Sequence, residues 1–198
     1  MINQANDLLT TLNDVLRATQ IGSGLIKAKK AKVNLGDFLD ELKMSYDFPM
    51  RKELTLGWDY PSDLPDAETD SEKLKHILQN LINNAIKFTG KGHVRISARH
   101  LPRVKIVKSK VTDTGIGIPK ESLPIIFDMF HQGDASDTRL HGGVGLGLYI
   151  VKKYTELLGG DIRVESDSGI GSVFTVVIPS QTQTPPAELN LPILEESF

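Results

Sequence analysis

The stretch EKLKHILQNLINNAIKFT, Glu72 to Thr89, constrains this chain more than any other. Leu74, Ile77, Leu78, Leu81, Ile82, Ala85 and Ile86 recur at intervals of three and four, which puts one apolar stripe of a helix against a core. Asn80 and Asn84 fall one turn apart on a neighbouring strip, and Lys87 follows a turn later. Amides on such a strip are costly to bury without hydrogen bonds. A magnesium-bound phosphate would supply partners, taking an amide oxygen at the metal and an ammonium at the phosphate. A solvated rim of Asn and Lys accounts for the same residues, and the helix alone does not choose between the two.

A chain of 198 residues holds one domain of roughly 130–150 residues with flanking segments. Its net charge of −2 and pI near 6.2 give no electrostatic reason to bind nucleic acid or anionic lipid. Without Cys there are no disulfides and no thiolate zinc sites, in keeping with a reducing compartment. No apolar run approaches the roughly 20 residues that span a bilayer, and Met1 opens no signal peptide.

Upstream, Ile2, Ala5, Leu9, Leu12, Leu16 and Thr19 step by three and four, with Leu8 and Val15 widening the stripe, so a helix with an adhesive face is expected. A helix this long is marginal alone and must pack on its own domain or on another chain. Gly22 and Gly24 stop it. Leu25 to Val33, with Lys27, Lys29, Lys30 and Lys32, reads as a solvated connector. Asn34 caps a second helix through Leu35, Phe38, Leu39 and Leu42, which ends before Pro49. Leu54, Leu56 and Trp58 alternate as a half-buried strand, PSDLPDAET reads as turns, and Asp70 caps the asparagine helix.

Two further strands, HVRISARH and RVKIVKSKV, meet near Pro102. On the face shared with Asp113 the second carries Val107, Ser109 and Val111. VTDTGIGIPKE is a strand entering a glycine turn, with Pro119 expected to start a short helix through Ile125 and Phe127. A long polar loop, MFHQGDASDTRLHGGVG, precedes the amphipathic helix LGLYIVKKYTELL, which Gly159 and Gly160 end. Strands DIRVES and SVFTVVIP close the domain around the turn DSGIG, and the Pro-rich segment 180–198 reads as a flexible tail or linker.

Neither glycine cluster is a common phosphate loop, since GGVGLGLY lacks the Lys-Ser/Thr of a P-loop and the spacing of a dinucleotide fold. Glycines at a helix start still permit close backbone approach and present free N–H groups to an anion. In DTGIG, the Asp113 carboxylate can accept from an exocyclic amine while bare backbone at Gly115 and Gly117 admits a flat ring. An ordinary Asp-Gly turn explains the same tetrad.

The order of the motifs narrows this. N-N-A-x-K-F at Asn83 to Phe88, with Asn80 one turn earlier, precedes D-x-G-x-G at Asp113 to Gly117 and F-x-x-F at Phe127 to Phe130. G-G-x-G-L-G-L at Gly142 to Leu148 and G-x-G-S-x-F at Gly169 to Phe174 complete the series. Taken in this order they resemble the ATP-binding catalytic domain of sensor histidine kinases over roughly Val33 to Pro179. The resemblance implies an α+β fold, a two-layer α/β sandwich with a mixed sheet and helices on one face, preceded by one helix of a dimerisation hairpin. The implied division is 1–24 hairpin helix, 25–32 linker, 33–179 catalytic domain and 180–198 tail.

The same resemblance implies residue roles. Asn84 would coordinate magnesium, Asn80 would support the triphosphate, and Lys87 would contact phosphate, the three together forming the catalytic set. Phe88 would lie near the base, and Asp113 would accept from the adenine amine in a pocket shaped by Gly115, Gly117 and Ile118. Phe127 and Phe130 would anchor the loop that closes on ATP. Gly143, Val144, Gly145, Leu146, Gly147 and Leu148 would form its phosphate side. ATP and Mg2+ are the implied cofactors. The implied partners are the phosphoacceptor domain of the parent kinase, a response-regulator receiver domain, and a second copy through residues 1–21. A cytoplasmic location is implied, as a free protein or as the cytoplasmic part of a membrane-bound sensor, with no nucleic acid and no direct membrane contact.

Relatives that hydrolyse ATP, such as DNA gyrase, mismatch-repair ATPases and heat-shock chaperones, resemble one another in carrying a Glu one turn before the magnesium Asn. Asn80 stands there in this chain and cannot take a proton. Transfer of the γ-phosphoryl to a protein nucleophile is therefore expected rather than hydrolysis. None of His76, His93, His100, His131 and His141 has the acidic-residue and Pro setting of the family's phosphoacceptor, so that histidine is expected elsewhere in a longer kinase. The alternatives are an anti-sigma-type serine kinase, which tends to have an acid at the Asn80 position, and a nucleotide-sensing scaffold without transfer activity. The tail could lead into a receiver domain beyond Phe198.

Overall fold

The structure is a computed structural model that describes residues 2–46, 53–131 and 145–181, with side chains from residue 12 onward. In chain order the elements are α1 (Ile2–Gly22), β1 (Ala31–Asn34), α2 (Leu35–Met44), β2 (Leu54–Asp59), β3 (Asp66–Thr69) and α3 (Ser71–Phe88). They continue with β4 (Gly92–Leu101), β5 (Ile106–Asp113), α4 (Gly147–Leu157), β6 (Asp161–Asp167) and β7 (Gly171–Pro179). Five strands form one sheet in the order β2-β4-β5-β7-β6. Only β2 and β4 run parallel among these pairs, so the sheet is mixed.

Alternation fixes which face is covered. Val94, Ile96 and Ala98 of β4 are buried while the alternating His93, Arg95 and Arg99 are exposed and Ser97 is half-buried, and β5 buries Val107, Ser109, Val111 and Asp113. Onto that inner face pack Ile77, Leu78, Leu81 and Ile82 of α3 and Ile150 and Val151 of α4, all at most 1% exposed. This two-layer arrangement is the architecture expected from the motifs. Leu35, Phe38, Leu39 and Leu42 of α2 join the same core. Asn34 caps α2 by accepting the Asp37 N–H at 2.9 Å.

Two stretches differ from their sequence reading. The lysine-rich segment taken as a connector ends in β1, and PSDLPDAET, taken as turns, contains β3. The two strands pair antiparallel from Ala31 opposite Thr69 to Asn34 opposite Asp66. Ala67 and Thr69 are buried, so β3 alternates in its burial although only Ala67 of its four residues is apolar. The Glu68 N–H also donates to the Ser180 carbonyl at 3.2 Å, leaving β3 flanked by the incoming and the outgoing chain.

The short helix expected from Pro119 is instead a succession of turns. Ser122, Ile125 and Asp128 donate to carbonyls three residues back, Pro119, Ser122 and Ile125, at 2.9–3.0 Å. In α1, Val15, Ala18 and Ile21 face the domain core, whereas Leu12 and Leu16 of the expected adhesive stripe are 56% and 51% exposed. One helix therefore presents one strip to its own domain and a different strip outward. Pro49, Gly142, His141 and the tail from 182 lie outside the described residues.

Candidate functional site

The site is assembled around α3. Its start is fixed by Asp70, which accepts from the N–H of Lys73 at 3.1 Å and of Lys29 at 2.7 Å and pairs with the Lys73 ammonium at 2.7 Å. Burial alone would raise the Asp70 pKa, but these hydrogen bonds and the Lys73 charge bring it below the usual carboxylate range. Lys73 in turn sits 5.9 Å from the Tyr154 ring of α4. The helix is thereby pinned at the end away from Asn84.

Asn80 and Asn84 are both half-buried along one strip of α3. Asn80 donates from Nδ2 to the His76 carbonyl at 3.0 Å. Its Oδ1 faces the start of α4, because a Cβ built on Gly147 would stand 2.8 Å from that oxygen. Only a hydrogen leaves the room Asn80 occupies. Leu146, the residue before the helix, supplies no capping side chain. Phe88, at the far end of α3, accepts the Ile116 N–H at 3.2 Å, and Lys87 lies 5.0 Å from the Phe88 ring centre.

Beyond α3, Asp113 ends β5 at 8% exposure. Burial raises its pKa, while hydrogen bonds from the backbone N–H groups of Gly115 and Ser172 favour the ionised form. The Gly115 bond is 2.8 Å long. Gly115 lies against the Phe88 carbonyl, and Gly117, at φ +68°, packs on the Asp167 carbonyl, where any side chain would be both strained and blocked. Ile118 is half-buried, and its N–H donates to Ser166 Oγ at 2.8 Å.

Sequence reasoning passed over Ser166 and Ser172 as site residues. Ser166 Oγ donates to the Gly171 carbonyl at 2.8 Å and lies 3.0 Å from Ser172 Oγ. The Gly169–Phe174 motif was the available signal, since it places a glycine turn beside Asp113.

Phe127 is half-buried against the core, whereas Phe130 is 62% exposed at φ +60°. Its N–H donates to the Gly145 carbonyl at 3.1 Å, so backbone rather than ring joins the two sides of the long loop. Leu146 is fully buried, and Gly145, Gly147 and Leu148 are half-buried beside it. Gly143 and Val144 lie outside the described residues. Among the described residues no group of three or more His, Cys, Asp or Glu is placed to hold a metal ion. The donors on α3 are amides, which suits a hard cation that completes its shell with phosphate oxygens and water.

Residues 69–182 match the family described as histidine kinase-, DNA gyrase B- and HSP90-like ATPase, and the chain belongs to that family. It is 38% identical over 186 residues to the autoinducer 2 sensor kinase/phosphatase LuxQ of Vibrio vulnificus, an alignment covering 90% of this chain and 22% of that protein. Full-length ShkA, solved in complex with AMPPNP, superposes with a TM-score of 0.78 at 30% identity, covering 93% of this chain and 38% of that one. Histidine kinase ThkA, solved in complex with the response regulator TrrA, gives a TM-score of 0.70 at 25% identity over 90% of this chain and 49% of that one. The chain thus has the fold and homology of the ATP-binding catalytic domain of sensor histidine kinases, and it spans about a fifth of LuxQ. Among the described residues no helix is long and apolar enough to cross a membrane.

Proposed function

We propose that the chain is the ATP-binding catalytic module of a two-component sensor kinase. It delivers the γ-phosphoryl of ATP to a histidine on the dimerisation and phosphoacceptor part of its parent protein, from which a response-regulator receiver takes it. Residues 33–179 form the catalytic domain, 1–24 the second hairpin helix, and 180–198 a tail or linker. The exposed Leu12 and Leu16 support pairing of α1 with a second copy. AMPPNP in ShkA and TrrA on ThkA support the nucleotide and the regulator as partners.

The roles follow from the residues. Asp113 accepts from the adenine amine, and the bare backbone at Gly115 and Gly117 with Ile118 admits the ring. Phe88 lies beside the base. Asn84 holds the magnesium ion through its amide oxygen, Asn80 supports the triphosphate, and Lys87 contributes charge against it. Gly143 to Leu148, tethered at Gly145 to Phe130, form the phosphate side of the loop that covers the nucleotide. When bound, Mg2+ neutralises charge on the phosphoryl group in flight.

One observation carries the choice of transfer over hydrolysis. Asn80 occupies the general-base position, and its Nδ2 is already committed to the His76 carbonyl. Nothing there can strip a proton from water. A neutral imidazole attacks without such help: the bond from the γ-phosphorus to its bridging oxygen breaks, a nitrogen–phosphorus bond forms, ADP leaves, and the imidazole proton passes to solvent.

The test mixes this chain with γ-labelled ATP, Mg2+ and the phosphoacceptor hairpin of its parent kinase. Label that appears on the hairpin, survives alkali and is lost in acid is the expected result. Acid-stable label would identify a serine kinase, and steady phosphate release without an acceptor would identify a hydrolase.

A further inference from the structure

Ser166 stands where three segments meet, β6, the start of β7 and the loop that follows β5. Its hydroxyl has one proton and two lone pairs. The proton goes to the Gly171 carbonyl, which can only accept. One lone pair takes the Ile118 N–H, which can only donate. The remaining contact, 3.0 Å to Ser172 Oγ, must then be a bond in which Ser172 donates. Hydrogen-bond capacity alone fixes the direction of the Ser172 hydroxyl.

That direction matters at the neighbouring Asp113. Ser172 lies opposite Asp113 in the β5–β7 register, is 6% exposed, and donates its backbone N–H to the Asp113 carboxylate. With its only proton held by Ser166, the Ser172 hydroxyl can offer nothing but lone pairs. The two side-chain oxygen groups on the wall beside β5, the Asp113 carboxylate and the Ser172 hydroxyl, therefore have only lone pairs left to offer.

We propose that Ser166 is a specificity-determining residue: by holding the Ser172 proton it keeps these two groups purely accepting, and so selects purines with an exocyclic amine over those with a carbonyl at the same position. The inference rests on Asp113 being the base acceptor of the nucleotide site. Adenine offers a donor at C6, whereas guanine offers a carbonyl there. A carbonyl set against two acceptors finds no proton. Without Ser166 the Ser172 hydroxyl is released, can turn, and can donate to that carbonyl.

The experiment measures ADP and GDP dissociation constants by calorimetry for the unaltered chain, Ser166→Ala and Ser166→Thr, with thermal melts of each. The unaltered chain is expected to prefer ADP, Ser166→Ala to shrink that preference by about tenfold, and Ser166→Thr to restore it. Ser166→Cys, a poorer acceptor of similar size, takes the place of the alanine variant if the latter does not fold. Equal weakening of both nucleotides, or no change, overturns the role of Ser166 and leaves Asp113 as base acceptor intact. Failure of the unaltered chain to bind either nucleotide overturns the nucleotide site, and this proposal with it.

Discussion

The guanidinium of Arg17 lies 2.8 Å from Nδ1 and 2.6 Å from Nε2 of His76, joining α1 to the middle of the asparagine helix. A guanidinium only donates, so the imidazole must be neutral to accept, and one nitrogen of the neutral ring does so. Burial lowers the His76 pKa, and the cations Arg17, Lys73 and Lys75 lower it further against the opposing pull of Glu72. From α4, the Tyr154 ring faces it at 6.2 Å. On α1, Asp14 is coupled to Arg17, and burial raises its pKa while Arg17 lowers it.

The sign of the pH dependence follows. Docking of α1 is at full strength above the ordinary imidazole pKa of about 6.5. It weakens as pH falls from there toward the depressed value, because the released state takes up the proton first. Amide exchange over residues 14–22, corrected for its intrinsic pH dependence, is expected to lose protection between pH 7.5 and 5.5. His76→Gln, which keeps an acceptor but does not titrate, is expected to flatten that profile. An unchanged slope in His76→Gln would place the titrating group elsewhere.

Asp70 and Lys73 form a buried ion pair whose members are unequal. Removing Asp70 strips α3 of its cap and leaves an ammonium with no counter-charge, a loss of roughly 3–5 kcal/mol. Lys73→Met leaves Asp70 its two backbone donors and is expected to cost less than half as much. Urea titrations at pH 7 compare the two directly. Since the Asp70 pKa is depressed on folding, its contribution is present above the ordinary carboxylate value near 3.9 and vanishes as pH falls through the folded-state value.

Gly147 separates folding from function. Ala in the first turn of α4 improves helix propensity by up to about 1 kcal/mol, yet its Cβ would meet Asn80 Oδ1 at 2.8 Å and push the amide aside. The expected outcome of Gly147→Ala is a melting temperature equal to or above that of the unaltered chain, with phosphotransfer reduced about tenfold or more. A variant that melts early and transfers normally would contradict both halves.

How much of this was legible in the sequence depended on the range of the interaction. The α3 stripe, its Asp70 cap and the strand alternation around Val94 and Ile96 are local periodicities, and they were readable. The residues proposed to face the nucleotide were readable only as motifs in order, since Asn80 and Gly147 meet across 67 positions of chain and no periodicity connects them. β1 and β3 escaped because each is only four residues long and at least half polar, so that pairing rather than pattern makes them strands. Pro119 did open a turn, but the chain after it closes to residues three back, a choice that a single helix-start signal does not decide. Arg17 is anonymous in the sequence until the fold brings it to His76.

The clasp of β3 between β1 and Ser180 has a mechanical meaning. β1, which pairs with β3 in a two-stranded sheet of its own, and Ser180, the residue after β7, lie on either side of β3, so the incoming and outgoing segments meet at one place. Asp113 and Ser172 sit at the other end of β5 and β7, about 25 Å away along strands that rise about 3.4 Å per residue. A domain held where these two segments meet, with Asp113 and Ser172 at the far ends of its strands, is a lever. A small twist applied there would sweep Asp113 and Ser172, and with them the nucleotide proposed to bind beside them, through an arc while the sheet stayed stiff, so that aiming requires no deformation of the strands that carry them.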